Sequence, residues 1–460
     1  MMEKFDLIVI GAGSGLDVAL AAAGDGLKVA IVERDKMGGT CLNRGCIPSK
    51  MLLHSADVVD SIKRAEDFGI HVDGFSVDFN DIISKISNFV DSEANEIEKS
   101  FSGDGNPKLI KGEAKFVGHK QLKVGEKVIA ADKILIASGG RPLIPEIPGL
   151  KESGYITSNE ALRLSKLPET MIIIGGGYIA AEMAHFFGSM GTRITILQRG
   201  DAMLSREDDE ISALFTGVFS KKHNVLLSTE ALNVRKDHGK FIVKTSTKGA
   251  EHKNEIESDE ILIASGRAPN TENLQLENSG VKLNSLGYVN VDEYLETDES
   301  GIYALGDVVG KYLFKHSANL EAQFSYFNIT DSAKKISVNY FATPHAVFTS
   351  PQVAAVGLTE REAKKMGYNF VIGRSKFINT GMGMAIKDYD GLVKLIVEKS
   401  TEKILGCHII GSDAATLIHE VVVAMISGDG VLSNISNAIH VHPALSEVIQ
   451  RAAISCREQL

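Results

Sequence analysis

DLIVIGAGSGL, at residues 6–16, joins a short apolar run to a glycine-rich turn, and a segment that can be helical follows. KVAIVE at residues 28–33 then forms a second apolar run. Strand, glycine turn, helix and strand in this order are typical of a nucleotide-binding βαβ unit. Gly11 permits the tight turn, and Gly13 lets the backbone approach a pyrophosphate at the start of the helix. The segment therefore predicts a dinucleotide-binding domain.

Two residues refine this prediction. Glu33 ends the second strand, where an acid should accept hydrogen bonds from a ribose. Leu16 stands where the fingerprint usually has its third glycine, so we expect more bulk than usual between this helix and its strand. The alternative is a glycine-rich turn that binds no ligand.

The same pattern returns later in the chain. MIII at residues 171–174 leads into GGGYIA at 175–180, and RITILQ at 193–198 follows a helical stretch. KILIASGGRP at 133–142 also matches EILIASGRAP at 260–269. Two copies at such long spacing indicate two related nucleotide-binding units rather than a solenoid.

The chain beyond about residue 342 has a different character and lacks a glycine fingerprint. Short strand patterns, such as residues 391–398, alternate with helical ones, such as 414–426, and the sequence HVHPALSE occupies residues 440–447. These features indicate a separate α+β domain. We therefore predict an α/β protein with two Rossmann-like units and a C-terminal α+β domain.

Composition excludes several classes of protein. The 460 residues are 44% hydrophobic and 23% charged, which is ordinary for a folded chain. A net charge of −10 argues against a basic nucleic-acid-binding face. No apolar run approaches the roughly 20 residues of a membrane span, and the first one breaks into glycine too early for a secretory signal. We therefore expect a cytoplasmic protein.

The most specific stretch is GGTCLNRGCIPSK at residues 38–50. Its Cys41 and Cys46 can close a disulfide across one helical turn or its entry loop, and a helix is expected to start near Cys46. The dipole at a helix N-terminus favours a thiolate, which makes such a pair redox-active. Zinc ligation or buried thiols are the alternatives. Because Cys407 and Cys456 are isolated, we predict no metal site.

Together these motifs resemble the flavin-dependent pyridine nucleotide–disulfide oxidoreductases, in family order and over nearly the whole length. ASGGRP, GGGYIAAE, YALGDV and HVHPALSE complete the resemblance. It implies an FAD-binding domain at residues 1–150, completed by about 275–341. It also implies an NAD(P)-binding domain at 151–274 and a C-terminal dimerisation domain at 342–460.

The resemblance also implies the catalytic roles. Cys46 would exchange electrons with the flavin, and Cys41 would exchange with a substrate disulfide or dithiol. His442, polarised by Glu447, would be the acid–base catalyst, supplied by the partner in a homodimer. Lys50 would lie against the flavin and pair with Glu182. His440 suits the role of base less well than His442.

The cofactor contacts are expected along both glycine turns and the motifs that follow them. The residues are Gly11, Gly13, Gly15, Glu33, Gly39, Thr40, Lys50, Ala114, Ser138, Gly139, Asp307, His316, Gly175, Gly177, Tyr178, Ile179, Glu182, Gln198, Arg199 and Gly266.

The second fingerprint indicates which nicotinamide nucleotide is used. An NAD enzyme would want an acid after the strand, but Gln198 and Arg199 stand there. A carboxylate would repel a 2′-phosphate, whereas an arginine can hold it. Ser205 occupies the place of the second arginine of glutathione reductases, with Arg206 one step off. NADP(H) is therefore favoured over NAD(H).

The resemblance leaves the substrate open. A small disulfide, reduced as in mycothione or glutathione reductase, is favoured. Dihydrolipoamide dehydrogenase, which uses NAD+ and can belong to a 2-oxoacid dehydrogenase complex, is the alternative. Mercury reduction is disfavoured, because mercuric reductases end in paired cysteines and this chain has only Cys456 near its end. A non-catalytic flavoprotein would be expected to have lost Cys41, Cys46 or His442.

Overall fold

The computed structural model describes residues 2–101, 103, 105–250, 253–331 and 333–460. In these residues the strands are, in chain order, β1 (Glu3–Ile10), β2 (Val29–Glu33), β3 (Lys108–Lys111), β4 (Ala114–Gly118), β5 (Gln121–Val124), β6 (Lys127–Ile136), β7 (Gly140–Pro142), β8 (Ile156–Thr157), β9 (Thr170–Ile174), β10 (Arg193–Leu197), β11 (Asn224–Leu226), β12 (Thr229–Asp237), β13 (Lys240–Thr247), β14 (Asn254–Ser258), β15 (Glu260–Ile263), β16 (Arg267–Pro269), β17 (Ile302–Ala304), β18 (Pro344–Val347), β19 (Gln352–Gly357), β20 (Phe370–Lys376), β21 (Leu392–Glu398) and β22 (Ile404–Gly411).

The α-helices of the same residues follow the pattern of the sequence motifs, with one helix after each glycine turn. They are α1 (Gly15–Gly24), α2 (Gly39–Arg44), α3 (Cys46–Lys63), α4 (Phe79–Ser100), α5 (Leu150–Ser153), α6 (Ser158–Ala161), α7 (Tyr178–Met190), α8 (Asp209–Lys222), α9 (Lys315–Thr330), α10 (Glu360–Lys365), α11 (Gly381–Ala385), α12 (Ala414–Ile426), α13 (Ser433–Ser436) and α14 (Glu447–Arg457).

The chain divides into two compact units. The first contains Met1–Met51, Asn80–Leu143 and Gly266–Asn339. The second contains Leu52–Phe79, Ile144–Ser265 and Tyr340–Leu460. The boundaries of the three predicted domains stay a prediction.

The first unit is built on a sheet with the order β3-β2-β1-β6-β5-β4, and β17 pairs with the second half of β6. Strands β1, β2, β3, β6 and β17 run parallel, so both faces must be covered. Leu7 and Val9 pack on one face, in a cluster that includes residues of α1 and α9. Ile8 and Ile10 pack on the other. The continuous apolar run of β1 follows from this double burial.

The second unit contains a five-stranded parallel sheet with the order β11-β10-β9-β15-β8 and a three-stranded antiparallel sheet, β12-β13-β14. It also contains a five-stranded antiparallel sheet, β18-β19-β22-β21-β20, that packs against α12 and α14. Cys407 and Cys456 are completely buried in the core of this last sheet. The predicted α/β class with an α+β region at the C-terminal end is confirmed.

The expectation of extra bulk at Leu16 is wrong. Gly15, one residue earlier, faces the sheet: a Cβ built on it would lie 2.8 Å from both Ala137 Cβ and Val9 Cγ1. Leu16 is only half-buried and packs at the edge of the apolar cluster that contains Val9. Gly15 therefore permits the close packing of helix on strand that the third glycine of the fingerprint usually provides.

Two glycines at opposite ends of α1 test this assignment. Gly15→Ala should destabilise the fold by about 1–3 kcal/mol, because the added methyl group overpacks the core. Gly24→Ala should stabilise it by up to about 1 kcal/mol, since nothing lies within 4 Å of the added Cβ and alanine is the better helix former. Urea unfolding measures both. A shift of the same sign in the two variants would contradict the packing role of Gly15.

Candidate active site

The first glycine turn is held against the strand beside it. Gly11 has φ +104°, and a Cβ on it would lie 2.3 Å from the carbonyl oxygen of Ala137, so only glycine fits. The Ala12 N–H donates to Oε2 of Glu33 at 2.8 Å. Burial raises the pKa of Glu33. The predicted turn and its acid are thus in direct contact.

An open groove lies at this end of the first sheet. Gly11, Glu33, Ala114 and Ser138 of the predicted set line it, together with Asn270. Asn270 donates its Nδ2 to the Ser138 carbonyl at 2.8 Å, and its buried Oδ1 accepts no hydrogen bond within the described chain. The groove is thus lined by a carboxylate, Glu33, and by an amide oxygen with no partner among the described residues. It therefore fits the adenosine half of FAD.

The start of α2 lies directly on the glycine turn. A Cβ on Gly39, whose φ is +62°, would lie 2.7 Å from Gly13 Cα, so two glycine backbones touch. The Gly38 N–H donates to the Ala12 carbonyl at 3.0 Å. Thr40 follows, half-buried, in the first turn of α2. This contact brings the segment that carries the thiols to the nucleotide turn.

The two redox candidates flank the junction of two helices. Cys41 lies in α2, and Cys46 is the first residue of α3, which confirms the predicted helix start. The two side chains hydrogen bond with each other. This hydrogen bond raises the pKa of Cys41 above the usual range of a thiol, and burial adds to the effect. Cys46 is the more exposed of the two.

The sequence motif gave no separate role to Asn43, which lies between the thiols. Its Nδ2 donates to the carbonyls of Met37 at 2.8 Å and of Gly39 at 3.0 Å. Its buried Oδ1 has no partner among the described residues. Asn43 therefore fixes the entry into α2, and with it the position of Cys41.

The two ASG segments of the sequence end in one ribbon, in which β7 pairs with β16. Arg267 donates from Nε to Oδ2 of Asp307 at 3.0 Å and from a terminal nitrogen to the Gly140 carbonyl at 2.9 Å. The Asn270 N–H donates to the Gly139 carbonyl at 3.0 Å. Asp307, predicted near the flavin, is thus oriented by an arginine that the sequence analysis did not single out, although it stands in the second repeat.

Two further predicted residues lie near this ribbon and the following helix. Gly266 has φ +128°, and its carbonyl accepts from the Leu143 N–H at 2.9 Å. His316 is exposed in the first turn of α9, and its ring stacks on Phe314 with 5.4 Å between ring centroids.

The second glycine turn repeats the geometry of the first. A Cβ on Gly175, with φ +124°, would lie 2.2 Å from the Ala264 carbonyl oxygen. Gln198 holds the place of the acid: its side chain lies under Gly176 and donates to the Ala202 carbonyl at 2.9 Å. The structure therefore has an amide at the second turn in the place that the Glu33 carboxylate occupies at the first.

The segment after Gln198 folds back over this turn, because the Leu204 N–H donates to the Gly176 carbonyl at 2.8 Å. Arg199 and Arg206 are both exposed on it. Glu207, the next residue, accepts from Nε2 of His345 through both carboxylate oxygens at 2.9 Å. The exposed arginines are carried on a segment that is anchored at both ends.

The predicted nicotinamide-side residues begin α7. Gly177 is its N-cap, and Tyr178 and Ile179 are half-buried in its first turn. Glu182 is buried on the same helix, and its Oε1 accepts from the Phe348 N–H at 3.1 Å. Lys50 is half-buried on α3. The pairing of Lys50 with Glu182 stays a prediction.

The predicted acid–base pair is formed within one chain. Nδ1 of His442 donates to Oε1 of Glu447 at 2.9 Å, and the Ala444 N–H donates to Oε2 at 3.1 Å. The hydrogen bond from His442 lowers the pKa of Glu447. The His442 side chain is 74% exposed, so its other nitrogen can reach a group outside the chain.

A second histidine–carboxylate pair lies nearby in the sequence. Nε2 of His440 donates to Oε1 of Glu420 at 2.6 Å, but the His440 side chain is only 6% exposed. Glu420 escaped the sequence analysis because it lies on α12, far from the HVHPALSE motif. Of the two imidazoles, only that of His442 is therefore accessible from outside the chain.

The described residues contain no group of three or more histidine, cysteine or acidic side chains that could hold a metal ion. Among them, no helix combines the length and apolar character that a bilayer crossing needs.

The chain is similar in sequence to known protein families and to individual known proteins. The family described as pyridine nucleotide-disulphide oxidoreductase matches residues 5–323, and its dimerisation domain matches residues 343–453. Mycothione reductase of Mycobacterium tuberculosis strain H37Rv is 35% identical, over 99% of this chain and 100% of its own. Dihydrolipoyl dehydrogenase of Chlamydia pneumoniae is also 35% identical, over 99% of this chain and 97% of its own.

A solved structure is also similar. It is the Cu(II) complex of the HOCl-induced flavoprotein disulfide reductase RclA from Escherichia coli, with a TM-score of 0.87 and 28% identity. The match covers 98% of this chain and 100% of that one.

The hydrogen bond between the thiols can be tested by alkylation. Cys46→Ala removes the partner that raises the pKa of Cys41, so the pH midpoint for alkylation of Cys41 by iodoacetamide should fall. Burial should keep that midpoint above the usual thiol value. The rate on the Cys41 peptide is followed by mass spectrometry across pH in the reduced protein. Cys407→Ala is the control, and an unchanged midpoint in Cys46→Ala would contradict the assignment.

Proposed function

The chain belongs to the class I pyridine nucleotide–disulfide oxidoreductase family, and on that basis we propose that it reduces a small disulfide with NADPH and bound FAD. As an enzyme it is a flavoprotein disulfide oxidoreductase that acts on a sulfur group. The observation that carries the proposal is the hydrogen-bonded pair of Cys41 and Cys46 at the start of α3, beside the nucleotide turn.

The thiols would act in two exchange steps. The Cys41 thiolate attacks one sulfur of the substrate disulfide, so that a mixed disulfide forms and the first substrate thiolate leaves. Cys46 then attacks the Cys41 sulfur, which releases the second thiolate and closes the Cys41–Cys46 disulfide. Each released thiolate takes up one proton, and two electrons have passed from the protein to the substrate.

His442 would supply and accept these protons. Its Nδ1 is committed to Glu447, which fixes the ring and leaves Nε2 for the substrate side. A dimerisation domain matches the C-terminal part of the chain and suggests a homodimer. We propose that the dyad of one copy serves the thiols of the other, so that the site is complete only in the dimer.

The groove beside Gly11 and Glu33 would hold FAD, and α7 with its glycine turn would hold the nicotinamide nucleotide. FAD, when bound, supplies two-electron redox chemistry between the nicotinamide and the disulfide. Gly11 and Gly39 make room for the pyrophosphate by close backbone packing, and Glu33 accepts the ribose hydroxyls. We propose that residues 1–150, completed by about 275–341, bind FAD, that residues 151–274 bind the nicotinamide nucleotide, and that residues 342–460 form the dimer.

The choice of NADPH rests on the second turn. Gln198 is neutral where Glu33 is charged, so it does not repel a 2′-phosphate. Arg199 and Arg206 are exposed on the segment that folds over the turn, where an arginine can bind such a phosphate. Both features favour NADP(H) over NAD(H).

The alternative function is dihydrolipoamide oxidation with NAD+, by an enzyme of the kind that can belong to a 2-oxoacid dehydrogenase complex. It is kept because a dihydrolipoyl dehydrogenase is as similar to the chain as mycothione reductase, each at 35% identity. The two functions differ in nucleotide and in physiological direction.

An anaerobic titration with NADPH and, separately, NADH distinguishes them. The flavin spectrum is followed for bleaching and for the long-wavelength thiolate–flavin band. Rapid reduction by NADPH alone is expected, and a panel of small disulfides follows. Preference for NADH would favour the alternative and make lipoamide the first substrate to test. A protein that takes up no FAD would overturn both.

The two histidine–glutamate pairs provide a matched test of the catalytic base. His442→Gln should lower disulfide turnover roughly 10²-fold or more, by the usual size of general acid–base catalysis. Reduction of the bound flavin by NADPH should be unchanged, because that half-reaction does not use the dyad. His440→Gln is the control. Equal turnover of the His442 variant and the wild type would assign the base elsewhere.

The nucleotide preference should depend on Arg199. Arg199→Glu places a negative charge beside the expected 2′-phosphate, so the ratio of kcat/KM for NADPH to that for NADH should fall at least tenfold. Arg193→Glu, at an exposed position at the start of β10, controls for the change in net charge. An unchanged ratio in Arg199→Glu would mean that this residue does not bind the phosphate.

A further inference from the structure

Lys394 lies in β21, and its ammonium group is buried. The side chain is only 2% exposed, and it forms ion pairs with three carboxylates. The distances from its Nζ are 2.7 Å to Oδ1 of Asp208, 2.7 Å to Oε2 of Glu360 and 3.3 Å to Oε2 of Glu210. The Asp208 side chain is as buried as the lysine, whereas the two glutamates are partly exposed. Lys394 and Asp208 are therefore a buried ion pair.

Asp208 connects three elements through its two carboxylate oxygens. Its Oδ1 accepts from Lys394 of β21 and from the Glu210 N–H at 3.1 Å, which makes Asp208 the N-cap of α8. Its Oδ2 accepts from the Glu360 N–H at 3.0 Å, at the start of α10. Burial alone would raise the pKa of Asp208, but the hydrogen bonds from Lys394 and from the Glu360 N–H outweigh it and lower that pKa. One ionised side chain thus fixes the start of α8 to β21 and α10.

The loop at residues 198–208, between β10 and α8, ends at this ion pair and carries the exposed Arg206. Leu204, in the same loop, has φ +49° although it is not a glycine. Such a conformation is unfavourable for leucine and persists only where the surroundings impose it. On one side the Leu204 N–H donates to the Gly176 carbonyl at 2.8 Å, and on the other the buried Glu207 and Asp208 follow Arg206 directly. Arg206 therefore stands on a backbone that is fixed on both sides.

Stability alone is a weak explanation for the buried ion pair. Transfer of an ammonium and a carboxylate from water into the protein costs about as much as their attraction returns, so that a well-packed apolar pair is often equally stable. A hydrogen-bonded ion pair differs from an apolar pair because it holds its two partners at one distance and in one orientation. Asp208 and Lys394 are therefore suited to fix the register of the loop that carries Arg206.

We propose that Lys394 is a positioning residue of the nucleotide site, and that through Asp208 it holds Arg206 against the 2′-phosphate of NADPH. The inference rests on the proposed function, because it requires the second glycine turn to bind NADP(H). Arg206 would supply a second guanidinium to the phosphate, beside that of Arg199. Lys394 itself would not touch the nucleotide, since its ammonium is already bonded to carboxylates.

The test removes the ion pair without a change in net charge. Asp208→Asn combined with Lys394→Met keeps a good N-cap residue for α8 and leaves neither member of the pair as an unpaired buried ion. In the FAD-loaded protein, calorimetry measures the Kd of adenosine 2′,5′-bisphosphate and of adenosine 5′-monophosphate, which differ only in the 2′-phosphate. In this double variant the Kd for the bisphosphate should rise roughly threefold or more, and the Kd for the monophosphate should be unchanged.

Asp209 and Arg361 provide a matched control. They form an exposed ion pair that joins the same two helices, α8 and α10, with 2.7 Å between Nη1 of Arg361 and Oδ1 of Asp209. Asp209→Asn combined with Arg361→Gln also keeps the net charge, and it should leave both Kd values unchanged because an exposed ion pair contributes little. Urea unfolding checks the fold of each variant. Lys394→Met alone should unfold at a lower urea concentration than the Asp208→Asn/Lys394→Met variant, because it leaves a buried carboxylate without its cation.

Arg206→Gln tests the route of the effect. If Lys394 acts by positioning Arg206, loss of the ion pair in an Arg206→Gln background should not raise the Kd for the bisphosphate further. An equal rise in the two backgrounds would overturn the proposal. The same holds for an unchanged Kd in the Asp208→Asn/Lys394→Met variant, and for an equal loss of affinity for the bisphosphate and the monophosphate. Failure of that variant to fold would assign the ion pair to stability and overturn the proposal as well.

The outcome is separable from that of the proposed function. A wild-type protein that binds the bisphosphate no more tightly than the monophosphate would exclude NADP(H), and with it the positioning role. A wild-type protein that prefers the bisphosphate, together with an Asp208→Asn/Lys394→Met variant that keeps this preference in full, would retain NADP(H) and exclude only the positioning role. The binding measurement needs no disulfide turnover, so it does not depend on the identity of the disulfide.

Discussion

Close contact between a glycine and the carbonyl of a neighbouring strand underlies both nucleotide-binding turns. Gly11 lies on Ala137, and Gly175 lies on Ala264, each so close that a Cβ would fall within 2.3 Å of the carbonyl oxygen. The positive φ of each glycine turns the chain sharply at the carboxyl end of the strand. The following helix can then start directly over the sheet, and its N-terminus is available to a phosphate. The groove at the first turn and the thiol-bearing helix entry depend on this geometry.

Shared geometry makes the differences between the two turns informative. At the first turn the Ala12 N–H is held by Glu33, and at the second the corresponding place is filled by the side chain of Gln198. The backbone tolerates both, because a carboxylate and an amide have the same shape. Charge is therefore what distinguishes the two turns, and under the proposed function this one difference would separate the FAD turn from a turn that accepts the phosphorylated ribose of NADP(H).

Local motifs were predicted well, and distant partners were not. The glycine turns, the start of α3 at Cys46 and the His442–Glu447 pair are encoded within a few residues, so spacing was sufficient to find them. The hydrogen bonds of three other residues could not be predicted from local spacing, although each residue stands inside or beside a quoted motif. These residues are Asn43, Asn270 and Arg267. The expectation for Leu16 is wrong because the fingerprint marks position 16, whereas the residue that faces the sheet is Gly15.

The exposure of the His442–Glu447 pair accords with the proposal that a second copy completes the active site. The His442 side chain is 74% exposed, and close to it in the sequence Ile439 is 100% and Val441 75% exposed. If His442 is the acid–base catalyst, as proposed, the single chain gives it neither a fixed substrate nor a dry environment. A second copy that covers this surface would bury the apolar residues and bring a thiol to the imidazole in one event. The contacts that hold the two copies together would then also complete the proposed active site. The apolar side chains that are exposed in the single chain would be buried in the dimer.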